Sequence, residues 1–113
     1  KQWYFGKSLD GFTPIGPCIV TADAFADYPP RLGIRSFVNG EKRQDSNTAL
    51  QIFDIDHVIA ELSQGMTLKA GTIIATGTPA GVGMGMDPPQ FLKPGDVVRC
   101  EIDGIGTLTN PVK

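Results

Sequence analysis

Apolar and polar positions along this chain follow two periods, one of strands and one of a helix, with turn residues between them. Between Leu32 and Val38, Leu32, Ile34 and Ser36 alternate against Arg35 and Phe37, the pattern of a strand with one face turned inward. Asn39-Gly40 follows at once and supplies the two positive-φ positions of a type I′ turn. Glu41 to Gln44 is therefore expected as the polar, half-exposed return strand of a hairpin. Further on, Ile55, Val58, Ile59 and Leu62 fall at i, i+3, i+4 and i+7 and form one apolar stripe. With Asp54 as cap and Gly65 as a left-handed terminating residue, the spacing predicts a helix over Ile55–Gln64.

Shorter apolar runs complete the picture. Ile19-Val20-Thr21 reads as a short strand, and Lys69-Ala70-Gly71 turns into a strand over Thr72–Thr76. Pro94-Gly95-Asp96 leads into a strand over Val97–Ile102, and Asp103-Gly104 leads into another over Ile105–Thr109. Residues 1–17, rich in Gly, Pro and aromatics, read as a loop wrapped over a core. The expected fold is mainly β with one short helix, a sandwich or rolled sheet. The 14 glycines and 9 prolines among 113 residues agree with many turns rather than a helix bundle.

This length allows at most one domain with a modest core. A chain 41% apolar and 19% charged, with its charges dispersed, is not disordered. A net charge of −2 offers no basic footprint for nucleic acid. No apolar run reaches the ~20 residues needed to span a bilayer, and no secretory signal pattern opens the chain, so neither a membrane nor export is expected. Cys18 and Cys100 lack CxxC spacing and fit two buried thiols in a reducing cytoplasm, with a disulfide as the alternative in an exported protein.

The most informative stretch is Ile73-Ile74-Ala75-Thr76-Gly77-Thr78-Pro79-Ala80-Gly81-Val82-Gly83, an apolar run that feeds a Gly/Thr/Pro loop. Such a junction delivers backbone N–H groups and hydroxyls to a ligand. Gly77 lets the backbone approach closely, and a Thr78 hydroxyl can donate to a carboxylate or oxyanion. Thr and Gly also end strands for turn reasons alone. Lys7, between Gly6 and Ser8 in an aromatic segment, is either a surface lysine or a cation placed over a ligand carboxylate or enolate. Gly81-x-Gly83-x-Gly85 fits neither the dinucleotide fingerprint nor the phosphate loop, and conformational need in a tight loop explains it better. His57, the one histidine, falls in the first turn of the predicted helix with no second His or Cys near it, so a Ser-His-Asp or Cys-His arrangement is not expected. Asp54-x-Asp56 could offer two metal ligands only from an extended backbone, and the helix makes Asp54 a cap instead.

Four segments, in order, resemble the fumarylacetoacetate hydrolase (FAH) family. They are Gln2-Trp3…Gly6-Lys7-Ser8-x-Asp10-x-Phe12-x-Pro14-x-Gly16-Pro17, then Val38-Asn39-Gly40-Glu41-x-Arg43-Gln44-Asp45, then Thr76-Gly77-Thr78-Pro79-Ala80-Gly81-Val82-Gly83, and finally Phe91-Leu92-Lys93-Pro94-Gly95-Asp96-Val97-Val98. Gln44-Asp45-Ser46-Asn47-Thr48 also resembles a family segment, with Ser46 where relatives often carry Gly, though its side chains could equally cap local turns. The resemblance implies that residues 1–113 are the C-terminal portion of one catalytic domain, part of the FAH-type mixed β-sandwich roll. It implies Lys7 as a catalytic and substrate-facing cation, Thr78 as a ligand of the substrate carboxylate, and Gly77 as a backbone contact.

The family's cofactor is Mg²⁺, Mn²⁺ or Ca²⁺, held by a Glu-x-Glu pair and a later Asp. By the resemblance these belong upstream of Lys1, with the His/Glu acid–base pair, so no metal ligand is assigned here. The implied activity is C–C hydrolysis of small acylpyruvate or oxo-dicarboxylate substrates through an enolate. The alternatives are isomerase or decarboxylase chemistry of the 2-hydroxyhepta-2,4-diene-1,7-dioate type, or oxaloacetate decarboxylation or tautomerisation. A cytoplasmic homodimer that takes a small oxo acid is the implied context. An inert fragment or a structural β module are readings of a different class, and exposed apolar surface at Ile73–Thr76 would point to a missing half.

Overall fold

Asn39 at φ 52° and Gly40 at φ 85° form the tight turn that the dipeptide predicts, and the hairpin around them organises the molecule. The computed structural model describes residues 3–113; Lys1, and Gln2, which opens the first of the four matched segments, lie outside the described residues. Strand β1 (Gly33–Val38) pairs antiparallel with β2 (Glu41–Asn47) on one side and with β3 (Val97–Ile102) on the other. Strand β4 (Gly106–Pro111) pairs with β3, so the sheet order is β2-β1-β3-β4. Two helices accompany it, α1 (Trp3–Lys7) and α2 (Ile55–Ser63). No helix among the described residues is long and apolar enough to cross a membrane.

The hairpin tip is tied to the start of β3. Asn39 donates its backbone N–H to the Val97 carbonyl at 2.9 Å and accepts the Val97 N–H on its side-chain oxygen at 2.9 Å. Its side-chain amide also donates to Asp96 at 2.8 Å, which holds that carboxyl below its ordinary pKa. The register of β1 against β2 shifts between Ser36 and Phe37, so Ser36 faces Gln44, Phe37 faces Lys42, and Arg43 is left as the extra, bulged residue.

The two faces of the sheet differ in chemistry. One carries Arg35 2.6 Å from Asp103, Arg99 3.2 Å from Glu101, and the Arg99 guanidinium 4.1 Å over the Phe37 ring. The other, with Ile34, Ser36, Val38, Val98 and Cys100, lies beneath the irregular chain from Thr76 to Lys93.

Helix α2 follows from its sequence. The Asp54 carboxylate accepts the His57 N–H at 2.7 Å, which satisfies one of the four unpaired donors of the first turn. Asp54→Ala in the full-length protein is expected to lower unfolding stability by about 1 kcal/mol, readable from chemical denaturation. Gly65 does not take a positive φ; the helix closes instead with a tighter turn, Gln64 N–H to the Glu61 carbonyl at 3.4 Å.

Other expectations require correction. Trp3–Lys7 forms one short helix rather than a loop. Ile19–Thr21 and Thr72–Thr76 are irregular, because a strand needs a neighbour to exchange backbone hydrogen bonds and neither segment has one among the described residues. Cys18 and Cys100 are free thiols as expected, but both are exposed rather than buried.

The expected modest core is also missing, since no side chain among the described residues is fully buried. The accessible surface is 9108 Å², whereas a self-contained globular chain of 12.1 kDa exposes about 6,000 Å². Trp3 and Ile73 are each 70% exposed and Ile52 92%, an apolar surface that an independent domain would cover.

Candidate functional site

The predicted ligand loop is held against β2 by a short chain of side-chain hydrogen bonds. The bulge at Arg43 sets Gln44 opposite Ser36. The Ser36 hydroxyl donates to Gln44 Oε1 at 2.8 Å. Gln44 Nε2 then donates to the Thr78 hydroxyl oxygen and to the Pro79 carbonyl, each at 2.9 Å. Thr78 thus stands at the rim of a hollow of about 470 Å³, walled by Ile34 and Ser46 of the sheet, Phe53 and Val58, and the run Thr76–Pro79. Gly77, at φ 104°, lies on the same wall.

Arg43 secures the far side of the loop. It is only 18% exposed, donates to Gln90 Oε1 and to Met86 Sδ, and stands 3.4 Å from Glu41. Gln90 in turn donates its N–H to the Gly83 carbonyl at 2.9 Å. Gly81, at φ 102°, lies so close to β2 that a Cβ there would overlap the Arg43 carbonyl oxygen. Gly81 and Gly83 therefore serve loop packing, as expected, with Gly83–Gly85 forming a single tight turn.

Lys7 is placed differently. It ends α1, is exposed, and is absent from the walls of the hollow at Thr78. Its carbonyl accepts from the Thr13 hydroxyl, while its ammonium has no hydrogen-bond or ion-pair partner among the described residues. The structure brings Gly77 and Thr78 together and leaves Lys7 apart from them.

The polar segment after Gln44 does local work. Asn47 accepts the Ala49 N–H at 2.9 Å; Thr48 Oγ1 accepts the Leu32 N–H at 2.9 Å and donates to the Pro30 carbonyl at 2.7 Å. Lys42 donates to Asp45 and lowers its pKa. His57 stacks on Phe53 with ring centroids 4.7 Å apart on the helix surface. Among the described residues, no three His, Cys, Asp or Glu side chains gather where they could hold a metal ion.

Sequence reasoning missed Gln44 and Arg43 as the anchors of the loop. Both stand in the matched run Glu41-x-Arg43-Gln44-Asp45, yet in a polar strand they read as half-exposed surface. The bulge that turns both toward the loop leaves no local sign in composition.

Comparison with known proteins places these features in context. The model of the fumarylacetoacetate (FAA) hydrolase C-terminal region matches residues 1–113. The mitochondrial oxaloacetate tautomerase fahd2 of Xenopus laevis is 52% identical over 112 residues, covering 99% of this chain and 35% of that protein. Among solved structures, a fumarylacetoacetate hydrolase from psychrophilic Exiguobacterium antarcticum superposes with a TM-score of 0.91 at 54% identity, covering 99% of this chain and 40% of that one. Maleylpyruvate hydrolase from Sphingobium sp. SYK-6, in complex with manganese(II) and pyruvate, superposes with a TM-score of 0.82 at 44% identity, covering 96% of this chain and 38% of that one. The chain thus spans between 35% and 40% of the length of these relatives.

Proposed function

Because the chain belongs to the fumarylacetoacetate hydrolase family, we propose that it forms the carboxylate-binding side of an enzyme site that turns over small 2-oxo acids through an enolate. The observation that supports this most directly is Thr78, its hydroxyl oxygen held by Gln44 at the rim of the 470 Å³ hollow. The Thr78 hydroxyl donates to a substrate carboxylate, and the backbone at Gly77 leaves room for that carboxylate to approach. The Lys7 ammonium offsets the negative charge that develops on the substrate oxygen as the enolate forms.

Helix α1 leaves Trp3, Tyr4 and Phe5 exposed, so the residues that cover them decide where Lys7 stands over the substrate. A divalent cation, Mg²⁺ or Mn²⁺, belongs to this reading through residues outside the 113, since those described do not assemble ligands for it. The manganese complex of the maleylpyruvate hydrolase supports a cation in the family.

Keto–enol tautomerisation of oxaloacetate is the first reading of the reaction. It moves one proton between C3 and the carbonyl oxygen and needs no leaving group. The oxaloacetate tautomerase relative, at 52% identity, favours it over hydrolytic C–C cleavage. Cleavage, which the resemblance placed first, is the second reading and draws on the maleylpyruvate hydrolase, at 44% identity.

The test is steady-state kinetics of the full-length protein, with ultraviolet absorbance following the oxaloacetate enol. Thr78→Val is expected to raise KM about 10–30-fold with little change in kcat, as befits loss of a hydrogen bond to a charged group made in both ground and transition states. An unchanged KM would remove Thr78 from substrate binding. Faster turnover of maleylpyruvate than of oxaloacetate would put cleavage first.

A further inference from the structure

We propose that Gln44 is the positioning residue for Thr78, orienting its hydroxyl as a donor and thereby selecting ligands whose facing group only accepts hydrogen bonds, a carboxylate or a ketone or enolate oxygen. This rests on the reading that Thr78 touches substrate.

The orientation of the Gln44 amide follows from its neighbours. The Pro79 carbonyl, 2.9 Å away, has no proton to give, so the group that faces it must be the NH₂. The other end of the amide is then the oxygen, and it receives the Ser36 hydroxyl at 2.8 Å. The second N–H of the same NH₂ points at Thr78 Oγ1, 2.9 Å away. Both amide protons and the facing lone pair are thus committed.

A hydroxyl has one proton and two lone pairs. Thr78 spends a lone pair on Gln44, and its own proton has no acceptor among the described residues. That proton is free to point into the hollow. Ser36, Gln44 and Thr78 form a directional chain of donors, each polarising the next toward the ligand.

The backbone keeps this chain in register. The bulge at Arg43 turns Gln44 onto the loop side of the sheet. Gly81 lets the loop lie directly on the Arg43 carbonyl, which sets the separation between β2 and Thr78. A glutamine that only stapled the loop would need the Pro79 contact alone; the bond to Thr78 Oγ1 gives it a hold on the ligand-binding group itself.

The experiment is calorimetric binding of oxalate to the Mn²⁺-loaded full-length protein, for Gln44→Glu, Thr78→Val and the double variant, with thermal midpoints measured alongside. The carboxylate introduced by Gln44→Glu would take the Thr78 proton for itself and repel the ligand. Gln44→Glu and Thr78→Val are each expected to weaken oxalate at least ~10-fold, and the double variant to fall well short of the product of the two losses, since on the Thr78→Val background only the charge repulsion of Gln44→Glu remains. Gln44→Met, neutral and of similar length, is the companion variant should Gln44→Glu fail to fold. It is expected to weaken oxalate ~3–10-fold, again with no further loss on the Thr78→Val background.

Full additivity would make Gln44 a staple of the loop and overturn the proposal. Unchanged binding in both Gln44 variants, with Thr78→Val weakened, would overturn it while leaving the role of Thr78 intact. Unchanged binding in Thr78→Val would overturn the reading of Thr78 and this proposal with it.

Discussion

Replacing Lys7 with Met in the full-length protein is expected to lower kcat at least ~100-fold, the loss that follows from the role proposed for its ammonium at the developing oxyanion. Methionine keeps the length and the apolar stem, so the substitution deletes the charge and little else. The Lys7 ammonium makes no hydrogen bond or ion pair among the described residues, so it holds no structural contact whose loss would unfold α1. A fall in kcat with an unchanged thermal midpoint is therefore the expected pair of results. Stopped-flow measurement of oxaloacetate turnover under saturating substrate reads it. A loss below threefold would exclude Lys7 from the chemistry, and a parallel fall in the midpoint would assign it to packing.

Gly81→Ala destabilises the full-length protein by about 2–4 kcal/mol, a large effect for one methyl group. Two causes act together. At φ 102° an alanine is strained whatever the space around it, and its Cβ would meet the Arg43 carbonyl oxygen and crowd Gln44 Cγ at 3.0 Å. A backbone carbonyl in a paired strand cannot turn aside as a flexible side chain can, so the loop must lift from β2. Lifting it stretches the Gln44–Thr78 hydrogen bond, and oxalate binding is expected to weaken ~10-fold alongside the loss of stability. Gly85→Ala is the internal comparison. A Cβ there meets only Val82 Cγ2, at 3.6 Å, without a positive φ, so a change within about 0.5 kcal/mol is expected. Equal effects at Gly81 and Gly85 in chemical denaturation would mean that the loop does not rest on the strand in the way described.

Much of the architecture was legible in local patterns. Asn39-Gly40 announced the hairpin because a type I′ turn depends on two residues and little else. Asp54 and the apolar stripe through Leu62 announced α2 because a cap and a 3.6-residue period lie within a dozen residues. The Thr76–Pro79 loop stood out as a candidate ligand loop through its Thr and Gly residues together with the family resemblance, and these residues line a hollow.

Patterns that needed a distant partner misled. Ile73 and Ile74 carry the apolar character of a strand, yet a run of β-formers becomes a strand only beside another, and none pairs with them among the described residues. The aromatic segment Trp3–Lys7, expected as part of a loop, formed a helix whose aromatic side chains face solvent. Burial was misjudged for the same reason: the apolar content of a full domain is present, but the surface it should cover lies in no layer of these residues.

The sequence alone determined the turns, the capped helix, the strand pairs on either side of tight turns, and the membership of this chain in its family. Each of these rests on chemistry among neighbours or on matched runs of residues. Tertiary structure alone decided which side chains meet. Gln44 reaches Thr78 across 34 residues and Pro79 across 35, and only the register of β1 with β2, shifted at Arg43, turns that amide toward the loop. A one-residue change in that register would turn Gln44 to the opposite face, which is why no reading of the polar strand by itself could find it.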